Sequence, residues 1–249
     1  MTSRTPESLP PADAPPHPQA STVDRLVALS GVAFALLLVG GWFLSGGDAP
    51  DYAATDSDWT KWAGNNRTGS GIGAFLVLVA ALTLLHFAGT IRSVLGRSDT
   101  GAGIGELARV TFAGAAIGGA SIATAIVTVG AATSEGSHAD PVVSRAVTAA
   151  SAGPYLVAAM GFAAMLSAAG LATLRSGVFP RWTGIVALTG AGAFLITLLT
   201  AVVGTSRDSA FGYAFLPGIL ALVIWSTATS LTRYRALGTG LRGLHVKPA

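Results

Sequence analysis

Residues 72–91 read IGAFLVLVAALTLLHFAGTI, twenty positions from Ile72 to Ile91 with a single ionisable side chain, His86. At about 1.5 Å of rise per residue such a segment makes a helix roughly 30 Å long, which matches the hydrocarbon thickness of a bilayer. Phe75, Leu76, Val77, Leu78, Val79, Leu82, Leu84 and Leu85 give it a bulky surface suited to lipid. Five further apolar blocks accompany it: Leu26 to Leu44, Val110 to Ala132, Tyr155 to Leu174, Trp182 to Val203 and Phe211 to Leu231. The pattern predicts an all-α integral membrane bundle of six transmembrane helices.

Composition agrees. Of 249 residues, 51% are hydrophobic and 11% are charged, against about 25% charged in soluble domains. The chain is too apolar for intrinsic disorder as a whole. Cysteine is absent, so disulfides, thiolate metal sites and cysteine nucleophiles are excluded. We expect three regions: a Pro-rich disordered cytoplasmic tail over 1–24, a transmembrane domain over 25–235 and a short basic tail over 236–249. The first apolar block follows a long tail and precedes no convincing small-residue cleavage site, so it is expected to be a retained anchor. The connections Ser45 to Gly71 and Thr133 to Pro154 are rich in Gly, Pro, Asp and Ser and are expected to be loops.

Direction follows from the basic residues, which are retained on the cytoplasmic side of spans. With six spans the termini share a side. That side carries 11 of the 15 Lys and Arg residues, and the other carries only Lys61, Arg67, Arg145 and Arg207. Both termini are therefore expected in the cytoplasm of a bacterial plasma membrane. The basic residues do not cluster as a nucleic-acid face requires, so nucleic acid is not an expected partner.

Lipid supplies little hydrophobic force between helices, and close packing of small residues must hold them together. Gly114 and Gly118, Ala159 and Ala163 with Ser167, and Gly184 with Ala187 and Ala191 provide such stripes in the third, fourth and fifth spans. Trp42, Trp182 and Tyr234 fall near span ends and read as interfacial anchors.

The candidate binding residues are few. An ionisable side chain within a span is a functional candidate by default, which singles out His86. Its readings are a hydrogen bond to a threonine or carbonyl on another helix, proton transfer, or haem ligation, the last without a second axial ligand in the spans. The external stretch with Asp56, Asp58, Trp59, Trp62, Asn66 and Arg67 is the most chemically varied. It reads as a short amphipathic element with both tryptophans on the bilayer, and Asn66 and Arg67 as caps of the second span. Asp56 and Asp58 lack the spaced oxygens of a calcium loop. Glu135, His138 and Asp140 read as a solvated turn. No catalytic residue, metal site or cofactor is expected.

The external aspartates with Trp59, the Asn66-Arg67 pair, the run His86-Phe87-Ala88-Gly89 with Arg92, and the turn Arg175 to Trp182 resemble features of uncharacterised actinobacterial multi-span membrane proteins. That resemblance implies a six-helix membrane fold and no established activity. The leading expectation is a non-enzymatic subunit that binds the bilayer and a membrane-protein partner or a second copy of itself. The alternatives are a small-solute transporter or channel subunit, with a polar cavity lined by His86 and threonines, and an enzyme acting on lipid or isoprenoid substrates.

Overall fold

A computed structural model describes residues 21–45, 49–97, 103–134, 140–199, 201 and 213–238, and among them every regular element is an α-helix. The elements are α1 (Thr22–Ala28), α2 (Ser30–Leu44), α3 (Asp56–Arg97), α4 (Ile104–Thr133), α5 (Pro141–Ala150), α6 (Ala152–Ser176), α7 (Arg181–Leu198) and α8 (Phe215–Gly238). Five helical stretches are long and apolar enough to cross a membrane. The pair α1 and α2, bent by 42° around Leu29, makes a sixth if taken as one span.

Ser21 and Asp24 form a reciprocal capping box that starts α1, which places helix inside the segment expected to be tail. Breaking the helix at Leu29 leaves backbone N–H groups at the start of α2 without intrahelical acceptors. One of them, the Gly31 N–H, donates to Ser230 Oγ on α8 at 3.0 Å in a buried setting.

Neighbouring helices close a ring in the order α2, α3, α4, α6, α7, α8 and back to α2. The expected stripes of the third to fifth spans are interfaces. A Cβ on Gly114 would meet Gly161 O and Met165 N of α6 at 2.6 Å, and one on Gly184 would meet Gly170 O at 3.1 Å. Between α2 and α3 the contact is glycine on glycine, because a Cβ on Gly73 would lie 2.6 Å from Gly41 O. Inside the ring, aromatic side chains run from α2 across to α6. Trp42 stacks on Phe215 at 6.1 Å, Phe215 meets Phe194 at 5.5 Å, and Phe194 meets Phe162 at 5.4 Å. Trp42 is thus partly a packing residue, whereas Trp182 and Tyr234 are exposed as anchors would be.

Of the two expected loops, most of the described residues are helical instead. The helix α3 has 42 residues and begins at Asp56, not near Ile72; at 1.5 Å per residue it is about 63 Å long, twice the hydrocarbon thickness. The polar run Gly64 to Gly71 stays helical because its small residues let α3 approach α2. A Cβ on Gly69 would fall 2.7 Å from Leu44 O, and Ser70 Oγ donates to Ser45 O at 3.2 Å. In the second connection, Asp140 caps α5 by accepting from Val142 N at 2.8 Å, and Pro141 occupies the first turn. There a missing N–H costs nothing, so Asp-Pro acts as a helix start. Ser144 Oγ on α5 then donates to Ala132 O, covering a carbonyl near the end of α4.

Candidate functional site

The start of α3, the helix α5 and the segment before α3 build one small cap. Thr55 and Asp58 make a reciprocal capping pair, with the Thr55 N–H and Oγ1 donating to Asp58 Oδ2 and the Asp58 N–H donating back to Thr55 Oγ1. Asp58 is therefore committed to starting α3. Asp56 faces the opposite way and takes Arg145 Nη2 of α5 at 3.0 Å. The same nitrogen donates to Ala54 O at 3.0 Å. The Arg145 guanidinium also lies 5.8 Å from the centre of the Trp59 ring.

Trp59 is the centre of this cap. It is fully buried, meets Trp62 edge to face at 5.7 Å, and stacks with Tyr52 at 6.4 Å. Ala63, Ala49, Ala54 and Val129 complete the cluster. The expectation that Trp59 and Trp62 rest on the bilayer is overturned, since their rings are enclosed by protein. A physical reason is at hand: an aromatic pair with a facing guanidinium buries more surface than a membrane-surface pose and gains cation–π attraction. Asn66 also differs from expectation, because its Nδ2 donates to Trp62 O within the helix at 2.9 Å. Arg67 is exposed and makes no hydrogen bond or ion pair among the described residues. The sequence reading had passed over Arg145 and Thr148, whose setting only α5 reveals. Trp59 Nε1, Arg145 Nε and Thr148 Oγ1 are buried without a hydrogen-bond partner among the described residues.

His86 lies elsewhere, on the outer face of α3. It is exposed on a stripe with Ile72, Phe75, Leu78 and Leu82, at the three- and four-residue spacing of one helix face. Phe75 and Leu82 are 63% and 60% exposed. The imidazole makes no hydrogen bond to another helix among the described residues, which corrects that expectation. Arg92, six residues on and about 9 Å along the axis, lies 5.7 Å over the ring of Phe112. His86 therefore sits inside the apolar part of the helix, above the level where basic residues begin.

His86 on the outer face of α3 does not join the span threonines that would line a polar cavity in a transporter. The hydroxyls of Thr111, Thr124, Thr128, Thr183, Thr197, Thr229 and Thr232 donate to carbonyls of their own chain three or four residues earlier. Aromatic rings fill the space between α2 and α6. Among the described residues no group of three or more His, Asp or Glu side chains could hold a metal ion. Glu135, His138 and Arg207 lie outside the described residues, and Asp140 is the cap of α5. No family model, curated protein or solved structure matches this chain.

Proposed function

We propose that the protein is a non-enzymatic, multi-pass subunit of an actinobacterial plasma membrane, whose α3 outer face docks a membrane-protein partner or a second copy. The observation that carries this reading is the exposed His86 on an otherwise apolar stripe. Ionisable groups within spans almost always face a bundle interior or a water-filled cavity. An imidazole facing lipid tails leaves both ring nitrogens unpaired, and an unpaired polar group in an apolar medium costs about 2–7 kcal/mol. A second helix laid along Leu78, Leu82 and His86 removes that cost by offering a hydroxyl, amide or carbonyl.

The full-length protein in mild detergent is expected to run as a complex of fixed stoichiometry by light scattering. Leu82→Trp, which stays apolar but disrupts close approach, is expected to release a folded monomer. A wild-type monomer in several mild detergents overturns the reading.

Orientation belongs to the same proposal and rests on the 11 to 4 division of basic residues. The chain has no cysteine, so a single introduced one reports its own side. Lys61→Cys is expected to react with an impermeant maleimide in intact cells, and Ser176→Cys only after permeabilisation. The reverse pattern inverts the topology.

A further inference from the structure

A groove of about 450 Å³ runs along the outer surface of α8 beside the start of α7. We propose that it is a binding site for one anionic phospholipid of the cytoplasmic leaflet. Its walls come from a single face of α8, where Ile224, Ala228, Leu231, Thr232 and Arg235 recur at three- and four-residue spacing, and from Trp182 at the first turn of α7. Ile224 and Leu231 are exposed on the membrane side, 40% and 38% respectively, and Trp182 is 51% exposed.

The chemistry changes along the groove. Its inner part is apolar and suits an acyl chain, while Arg235 closes the end nearest the chain terminus, with the Thr232 hydroxyl beside it. That hydroxyl is bonded to Ala228 O, so it adds a polar edge without a strong donor. Trp182 places an amphipathic ring at the depth where headgroups begin. The exposed Arg181 precedes it in sequence. Basic pockets between spans on the cytoplasmic side are where anionic headgroups bind. Thr227, Ala228 and Thr232 are the small residues of the row, and the pairing of an arginine with an interfacial tryptophan at its end favours a lipid headgroup over a second helix.

Native mass spectrometry of the full-length protein in mild detergent, titrated with phosphatidylglycerol or with phosphatidylcholine of the same acyl chains, tests this. One phosphatidylglycerol is expected to be retained in preference to phosphatidylcholine by roughly fivefold or more, the weight of one arginine near an anionic surface. Arg235→Gln is expected to bring that ratio close to unity. Ala228→Phe fills the groove and is expected to remove retention of both lipids, and Arg109→Gln is expected to change nothing. Equal retention of the two lipids by the wild type overturns the proposal, as does a preference that survives Arg235→Gln or adducts that accumulate without saturating. Retention reads the same in monomer and complex and for either topology, so it fails or succeeds independently of the docking face on α3.

Discussion

Replacing Gly161 with leucine is expected to prevent α4 and α6 from assembling, and Gly161→Ala to cost about 1–3 kcal/mol, the usual range for overpacking. A Cβ at Gly161 would strike the Gly118 backbone N, and would lie 2.8 Å from Gly118 Cα and 2.9 Å from Gly114 O. All three obstacles are backbone atoms, so no change of rotamer relieves them. In lipid the helices gain little from hydrophobic force, and a lost close approach has no substitute. Alanine's helix preference over glycine, about 1 kcal/mol, offsets only part of the clash. The comparison is Gly192→Ala on α7, where an added Cβ meets nothing within 4 Å; that change is expected to be neutral or to stabilise by up to about 1 kcal/mol. Reversible unfolding in mixed micelles measures both. Equal effects at the two positions would show that the α4–α6 contact does not hold the bundle.

The second large effect is expected at Trp59. Its side chain is fully enclosed by Trp62, Tyr52 and the Arg145 guanidinium, and truncating a buried tryptophan to alanine costs about 3–5 kcal/mol. The loss falls on the cap formed by the start of α3 and by α5. We expect Trp59→Ala to leave the spans assembled while the first four turns of α3 and all of α5 lose hydrogen-exchange protection together, as a local cooperative unit. Trp59→Phe should retain most of the protection, since Trp59 Nε1 has no partner among the described residues to lose. Asp56→Asn removes an ion pair whose acid is 66% exposed, and pairs of that kind contribute about 0–1 kcal/mol. Global unfolding by Trp59→Ala, or no change in protection, contradicts this account of the cap.

The spans were legible because length and hydropathy suffice to mark them, and the Gly114 and Gly118 stripe was legible because small residues at that spacing have one main use in lipid. The partner residue Gly161 was not, since a lone glycine in an Ala-rich helix carries no directional signal. The extension of α3 was hidden for a different reason. Gly64, Asn65, Asn66, Gly69 and Gly71 are poor helix formers, and their helix is maintained by tertiary contacts: Gly69 and Gly73 against α2, Trp59 against Arg145 of α5, and the cluster of Trp59 and Trp62 with Tyr52 and with Val129 of α4. Asp140-Pro141 could be read as a turn or as a cap with proline in the first helical turn, and only the burial of Ser144 and Thr148 decides for the helix. His86 was found by its chemistry. Its direction was not read, because the small residues that mark the packed face of α3, Gly73, Ala80 and Ala88, are spread thinly among bulky neighbours and leave only a weak period.

That direction underlies the central claim, that the outer stripe of α3 is covered by another membrane helix. Photo-crosslinking side chains placed singly at positions 75, 78, 82 and 86, irradiated in native membranes, test it most directly, with positions 185 and 195 on α7 as exposed references. The account predicts one protein adduct of constant added mass from 78, 82 and 86, and only lipid adducts from 185 and 195. Lipid adducts alone at all six positions would contradict it.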